Sequence, residues 1–246
     1  MKRLLVVCIT SMLLLANTGC TKEELQNVLN NTPGLTNEEV IAGLKEALKI
    51  STDTSVSILN KVNGYFLDEA VKILLPEEAQ VIYSNLSRIP GGTTLVENTI
   101  LAMNRAAEDA ASEATPIFVN AITSITIEDG FAILNGSDTA ATSYLHQKTY
   151  TYLYNAFQPK INTSLSKPLL AGVSAESAYQ NLISAYNTAS LGGILWSEIK
   201  TNTLSDHVTT KGLYGLFLKV SEQEKEIRKD SLAQVTDLLK KVFGRK

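Results

Sequence analysis

The chain has 246 residues, with 22 lysines and arginines against 25 aspartates and glutamates, a net charge of −3 and 44% hydrophobic residues. That length supports one sizeable domain or two small ones, with a core that needs no covalent staples. The acidic balance excludes nucleic acid as a partner, since phosphates call for a basic surface. With only two cysteines, Cys8 and Cys20, a disulfide-rich scaffold is excluded as well.

In chain order, the first element is a leader. Lys2 and Arg3 form a positive start, and Leu4 to Leu15 is apolar but too short to span a bilayer. It ends in Asn17-Thr18-Gly19-Cys20, the small and polar run before a cysteine at which a lipoprotein peptidase cuts. The expectation is a signal peptide over residues 1–19 and lipidation at Cys20 with fatty acyl chains such as palmitate. Asn17 departs from the commonest pattern, which has Leu there. Acyl chains anchor at about 0.8 kcal/mol per buried CH₂, and no other apolar run approaches a membrane span. Thr21 stands where an Asp would signal inner-membrane retention, so the expected address is the outer membrane of the cell envelope. Lys22-Glu23-Glu24 resembles a short surface-display signal. With Cys8 removed and Cys20 acylated, the domain has no thiol for zinc or nucleophilic chemistry.

Residues 20–36 read as a lipidated cysteine and polar tether closing in Thr32-Pro33-Gly34, and 37–246 as the folded domain. Thr36 with Glu39 spells a capping box, and Val40, Ile41, Leu44, Ala47 and Leu48 predict a helix over 37–50. Pro76-Glu77-Glu78 predicts a second helix start, closed by Gly91-Gly92. From Thr94 to Ala114 the stripe Ala106, Ala110, Ala114 predicts a central helix on which neighbours pack closely, ended or kinked at Pro116. A short segment near Thr126–Leu134 leads to Asn135-Gly136-Ser137. Asp138 then reads as the cap of a long helix carrying Ala141, Leu145, Tyr152 and Ala156 until Pro159 stops it. Val173–Ala189 predicts another helix, broken at Leu191-Gly192-Gly193. Leu213, Leu216, Phe217 and Val220 predict one amphipathic run, and Leu232, Val235, Leu238, Leu239 and Val242 a last one. Tyr65–Leu75 and Ile122–Ile127 do not alternate as strands would. The fold class is therefore all-α, a single irregular helical bundle.

Several segments resemble, in order, the motifs of one bacterial family. They are Asn63-Gly64-Tyr65, Lys72-Ile73-Leu74-Leu75-Pro76, Met103-Asn104-Arg105-Ala106-Ala107-Glu108 and Gly136-Ser137-Asp138-Thr139-Ala140-Ala141-Thr142. Towards the end come Val208-Thr209-Thr210-Lys211-Gly212-Leu213, Gly215-Leu216-Phe217, Glu224-Lys225-Glu226-Ile227-Arg228 and the run from Thr236 to Gly244. On these the chain resembles the family catalogued as domain of unknown function 4197. The resemblance implies a helical, envelope-localised domain of unestablished activity. The family's usual Tyr is His207 here, which argues against a shared role for that histidine.

No catalytic template is complete. His146 and His207 lie outside any H-E-x-x-H pattern, so no zincin site or other metal site is expected. No G-x-S-x-G occurs. Ser164-Leu165-Ser166-Lys167 and Ser197-Glu198-Ile199-Lys200 spell S-x-x-K without the partner motifs of penicillin-binding enzymes. No cofactor-binding loop is present, and no catalytic residue is assigned. The polar groups most in need of explanation are Asn104, Arg105 and Glu108 inside the alanine-rich helix, with Asp138, Thr139 and Thr142 beyond it. Residues three apart share a helix face, so Arg105 and Glu108 read as an ion pair or as part of a ligand site. Asp138-Thr139-Ala140 and Asp230-Ser231-Leu232 also match minimal O-glycosylation sites. From Lys219 to Lys246 there are eight basic against five acidic residues, a solvated face or an anionic docking patch. The leading functional expectation is a non-catalytic binding or structural module whose partner is an envelope protein. The alternative is a carrier of a small apolar or amphipathic ligand between helices, and the third is a hydrolase built on Glu108, Asp138 or Asp206.

Overall fold

The computed structural model describes residues 36–168, 172–200 and 204–244. The signal peptide, Cys20, the Lys22-Glu23-Glu24 triplet and the turn at Pro33-Gly34 lie outside the described residues. The elements are α1 (Asn37–Leu59), a 3-10 helix (Glu77–Arg88), α2 (Gly92–Ala110), α3 (Ala114–Thr123), α4 (Ile127–Leu134), α5 (Ala140–Ser166), α6 (Ala175–Ala189), α7 (Leu204–Lys229) and α8 (Asp237–Phe243). Among the described residues there is no strand, and the class is all-α.

Small residues put α2 at the centre. Ala102, Ala106, Ala107, Ala110, Ala111 and Ala114 are at most 1% exposed, and α5, α6 and α7 all pack on this helix. On α7, Gly212 faces Ala107 so closely that an added Cβ would lie 3.7 Å from the alanine's own. At this contact neither helix carries a side chain larger than a methyl group. The helix tightens into a 3-10 turn at Ala111–Glu113 before α3 begins. Pro116 supplies the reason. It cannot donate to the carbonyl of Ser112, and its ring crowds that turn.

Proline acts differently in α5. The expected stop at Pro159 does not occur, and the helix runs on to Ser166 with Pro159 inside it. The buried stripe Leu145, Thr149, Leu153, Phe157, Ile161 and Leu165 continues straight through. Pro159 and Asn155, four residues earlier, are both exposed. The carbonyl that the proline leaves unbonded thus faces water, and core packing on the other face holds the helix together.

Three more expectations change. α1 extends nine residues beyond Ile50, to Leu59, through Ser51, Thr52 and Ser55, which are buried although polar. Each of these hydroxyls donates to the carbonyl four residues back, at 2.7–2.9 Å, so burial leaves none of them unsatisfied. The segment after Pro76 is a 3-10 helix. Gly91, at φ +67, ends the turn that follows, while Gly92 already belongs to α2. At the other end, Leu232 and Val235 are 86% and 66% exposed. The last helix starts only at Asp237, where the Thr236 hydroxyl accepts from the N–H of Leu239 at 3.2 Å.

Asp138 does not cap α5 either. The N-cap residue is Thr139, whose side chain makes no capping bond, and Asp138 pairs with Lys229. The cap comes from another helix. Glu224 of α7 accepts from the N–H groups of Ala141 at 3.0 Å and Thr142 at 2.8 Å, and from the Thr142 hydroxyl at 2.8 Å. Arg228 completes the arrangement, donating to Glu224 at 2.9 Å and to the carbonyl of Ile133 at 3.1 Å. Both charged side chains are 6% exposed. Glu224→Ala should therefore strand a buried guanidinium and uncap α5, lowering unfolding free energy by about 3–5 kcal/mol in a urea titration. Thr139→Ala, which removes no capping bond, should stay within about 0.5 kcal/mol.

Candidate functional site

After α1 the chain makes a series of turns over residues 60–71, with Asn63 at φ +71. Turn bonds within the segment satisfy part of this backbone, such as Gly64 N–H to the carbonyl of Lys61 and Val71 N–H to that of Asp68, and side chains of α2 satisfy more. Glu108, 4% exposed, accepts from the N–H of Tyr65 at 3.2 Å and of Phe66 at 3.3 Å through Oε1. Its Oε2 accepts from Arg105 Nη1 at 2.5 Å, and Arg105 Nη2 donates to Asn63 Oδ1 at 2.7 Å. Asn104, fully buried, accepts from the N–H of Ile73 at 2.9 Å and donates to that residue's carbonyl at 2.8 Å.

Tyr65 locks the same segment onto α7. Its hydroxyl donates to the carbonyl of Gly212 at 2.8 Å, and burial, reinforced by the charge of Glu108, pushes its pKa far up. The ring fits because position 215 is glycine. A Cβ there would stand 2.8 Å from Tyr65 Cε1.

The sequence-derived polar set thus divides. Asn104, Arg105 and Glu108 are brought together around residues 63–73, Asn104 and Glu108 as backbone partners and Arg105 through the Asn63 side chain. Asp138 and Thr139 lie at the start of α5, where Asp138 pairs with Lys229 and the Thr139 hydroxyl is 3.5 Å from Ser137 Oγ. The S-x-x-K serine, Ser164, is fully buried and donates to Asp109, to which Lys167 also pairs at 3.2 Å. His146 is exposed and stacked between Tyr150 and Phe217, with ring centroids 4.9 and 4.6 Å away. No cluster of three or more metal-ligating side chains occurs among the described residues.

What these contacts support is a cleft. The segment held by Asn104 runs beside α7, and between them and the start of the 3-10 helix lies a depression of about 600 Å³. Leu74, Glu77, Glu78, His207, Lys211 and Tyr214 line it. His207, Lys211 and Tyr214 are spaced four and three apart and so occupy one face of α7. That spacing could have been read from the sequence, but nothing there indicated which segment lies opposite. His207 Nε2 is 2.9 Å from the carbonyl of Leu74. Burial holds its pKa below the ordinary histidine value, against the opposing pull of that carbonyl contact, and the neighbouring Lys211 adds to the depression.

A family model described as "Protein of unknown function (DUF4197)" matches residues 34–244. The chain belongs to this family. No curated protein and no solved structure matches it. Membership accounts for the ordered motifs, and the structure shows what several of them do in this chain. Asn63-Gly64-Tyr65 meets Arg105 and Glu108, and the Ala141-Thr142 backbone meets Glu224 and Arg228.

Two measurements check this site. Arg105→Ala should leave Glu108 without its cation, because the pair is 21% and 5% exposed. The expected loss is about 3–5 kcal/mol, read as a lower urea midpoint with unchanged slope. His207 should give the domain a pH dependence. Its folded-state pKa lies below the unfolded value of about 6.5, so the unfolded chain takes up the proton first. The stability carried by the neutral ring is complete above that value and is lost as pH falls through the folded-state pKa. His207→Gln should flatten the decline in unfolding free energy below about pH 6.5.

Proposed function

We propose that this protein is a non-catalytic binding module, anchored at the outer membrane through lipid on Cys20, and that the cleft beside α7 is its binding surface. One observation carries the non-catalytic reading. The carboxylates on which the hydrolase reading would be built, Glu108, Asp138 and Asp206, are already bonded to backbone or to other side chains. Glu108 holds two N–H groups and Arg105, and Asp206 accepts from Tyr154. A carrier of apolar ligands between helices needs an interior space of about 300 Å³ or more. The void between α1, α5, α7 and α8 measures about 10 Å³, room for one water at most. That favours recognition at the surface.

The anchor reading rests on the leader pattern and on the helices. Among the described residues no single helix is long and apolar enough to cross a membrane. Cys20→Ala should move the protein from the membrane fraction to the soluble fraction of broken cells. A variant that stays with the membrane would remove the lipid from the proposal. For the surface, a photocrosslinking amino acid at Tyr214, which is 60% exposed, should give a discrete adduct in living cells. The same group at Tyr152, 69% exposed on α5, should give none. Equal labelling at both positions would remove the cleft from the proposal.

A further inference from the structure

One edge of the backbone along this cleft has bonding capacity that no other described residue uses. The amide of Asn104 bonds both the N–H and the carbonyl of Ile73. A single planar amide reaches both groups of one residue only when that residue is extended, as the neighbouring strand of a sheet would. Leu75 precedes a proline, which favours extension, and Pro76 itself has φ −52 and ψ 153. Residues 72–76 carry neither helix nor turn.

In an extended chain the backbone groups of successive residues leave on opposite edges. Those of Leu74 therefore point away from Asn104, and the carbonyl shows where, meeting His207 on the cleft wall at 2.9 Å. The N–H of Leu74 leaves on the same edge, and no hydrogen bond among the described residues engages it. The carbonyl of Lys72 is likewise unengaged among the described residues, while its N–H donates back to the carbonyl of Asp68 at 2.8 Å. A carbonyl at one residue and an N–H two residues later are what one residue of a parallel neighbouring strand bonds. Leu74 is 48% exposed and lines the cleft. The cleft walls are polar and of both signs. Lys211 on α7 and Glu77 across from it form no ion pair among the described residues.

We propose that the cleft docks an extended polypeptide segment of a partner protein. Its backbone adds to the Lys72–Leu74 edge, an acidic group lies towards Lys211, and a basic one lies towards Glu77. This is recognition by strand addition, in which main-chain bonds give affinity and flanking pockets give selectivity. Asn104 plays the part of the missing sheet on the opposite edge.

The proposal rests on reading the cleft as a binding surface, and the test separates the two. Random decapeptides displayed on phage are selected on the full-length protein in detergent micelles, and the selected sequences are resynthesised. Binding should slow hydrogen exchange at the Leu74 amide by about tenfold or more. N-methylating the pairing residue of the peptide should weaken binding by about tenfold. Leu74→Pro, which removes the free N–H, should do the same, while Leu74→Ala, which keeps it, should stay within about threefold. Lys211→Glu should shift selection from acidic to basic residues at one peptide position. If Leu74→Pro fails to fold, as its melting curve would show, the N-methylated peptide still decides the question.

Binding indifferent to peptide N-methylation overturns strand addition. If it nevertheless perturbs His207 and Tyr214, the cleft remains a binding surface. No selected peptide, or free glycine binding as tightly as the peptides, also overturns the inference. The Tyr214 crosslink in cells then tests the surface independently.

Discussion

Irregular backbone inside an all-helical domain has no ladder to bond to, and in this chain a few buried side chains take the ladder's place. Unpaired buried N–H and carbonyl groups are too costly to leave. Glu108 and Glu224 solve the problem in the same way. Each is a buried carboxylate that accepts two adjacent backbone N–H groups and is neutralised by an arginine on its own helix. Each arginine then reaches one oxygen further, Arg105 to Asn63 and Arg228 to the carbonyl of Ile133. Two asparagines work alongside them. Asn104 bonds both backbone groups of Ile73, and Asn187 bonds both of Ile199, at 2.9 and 3.0 Å. The walls of the cleft depend on the bonds of Asn104, Arg105 and Glu108, because they fix residues 63–73 against α2.

The helical core was legible because its signal is periodic. The alanine stripe of α2 and the leucines of α7 repeat at helical spacing, and both helices sit where that spacing places them. The sequence misled where a physical compensation is invisible in one dimension. Pro159 reads as a stop unless one knows that its face of α5 is wet and the opposite face buried. Ser51, Thr52 and Ser55 read as the end of α1, because nothing in a polar letter shows a hydroxyl turned back to its own helix. Leu232 and Val235 read as a buried stripe, and they are exposed.

The site was legible only in part. Arg105 and Glu108 share a face by spacing alone, and the structure pairs them. Their partners in the 63–66 segment, the Asn63 side chain and the N–H groups of Tyr65 and Phe66, lie 42 and 43 residues away, and no local pattern announces them. Asp138 stood where a cap belongs, and that explanation was complete enough to hide Glu224, a residue 82 and 83 positions from the N–H groups it accepts. His207 reads in the sequence as a poor candidate for any shared role. It proves to be the contact that fixes the Leu74 carbonyl on the cleft wall.

The distance in sequence between α5 and its cap has a kinetic meaning. The N-terminus of α5 gains its acceptor only when Glu224 arrives, and Tyr65 finds the carbonyl of Gly212 across 147 residues. A chain made from its first residue onward can form α1 to α4 early, yet it cannot close these bonds until α7 has left the synthesis or export machinery. Contacts that join distant segments slow folding, since loop closure comes before any gain from them. The α2–α5 half must therefore wait, with the Ala107 side of α2 that meets Gly212 open to water, chaperones and proteases. A chain truncated before α7 would stay in that state.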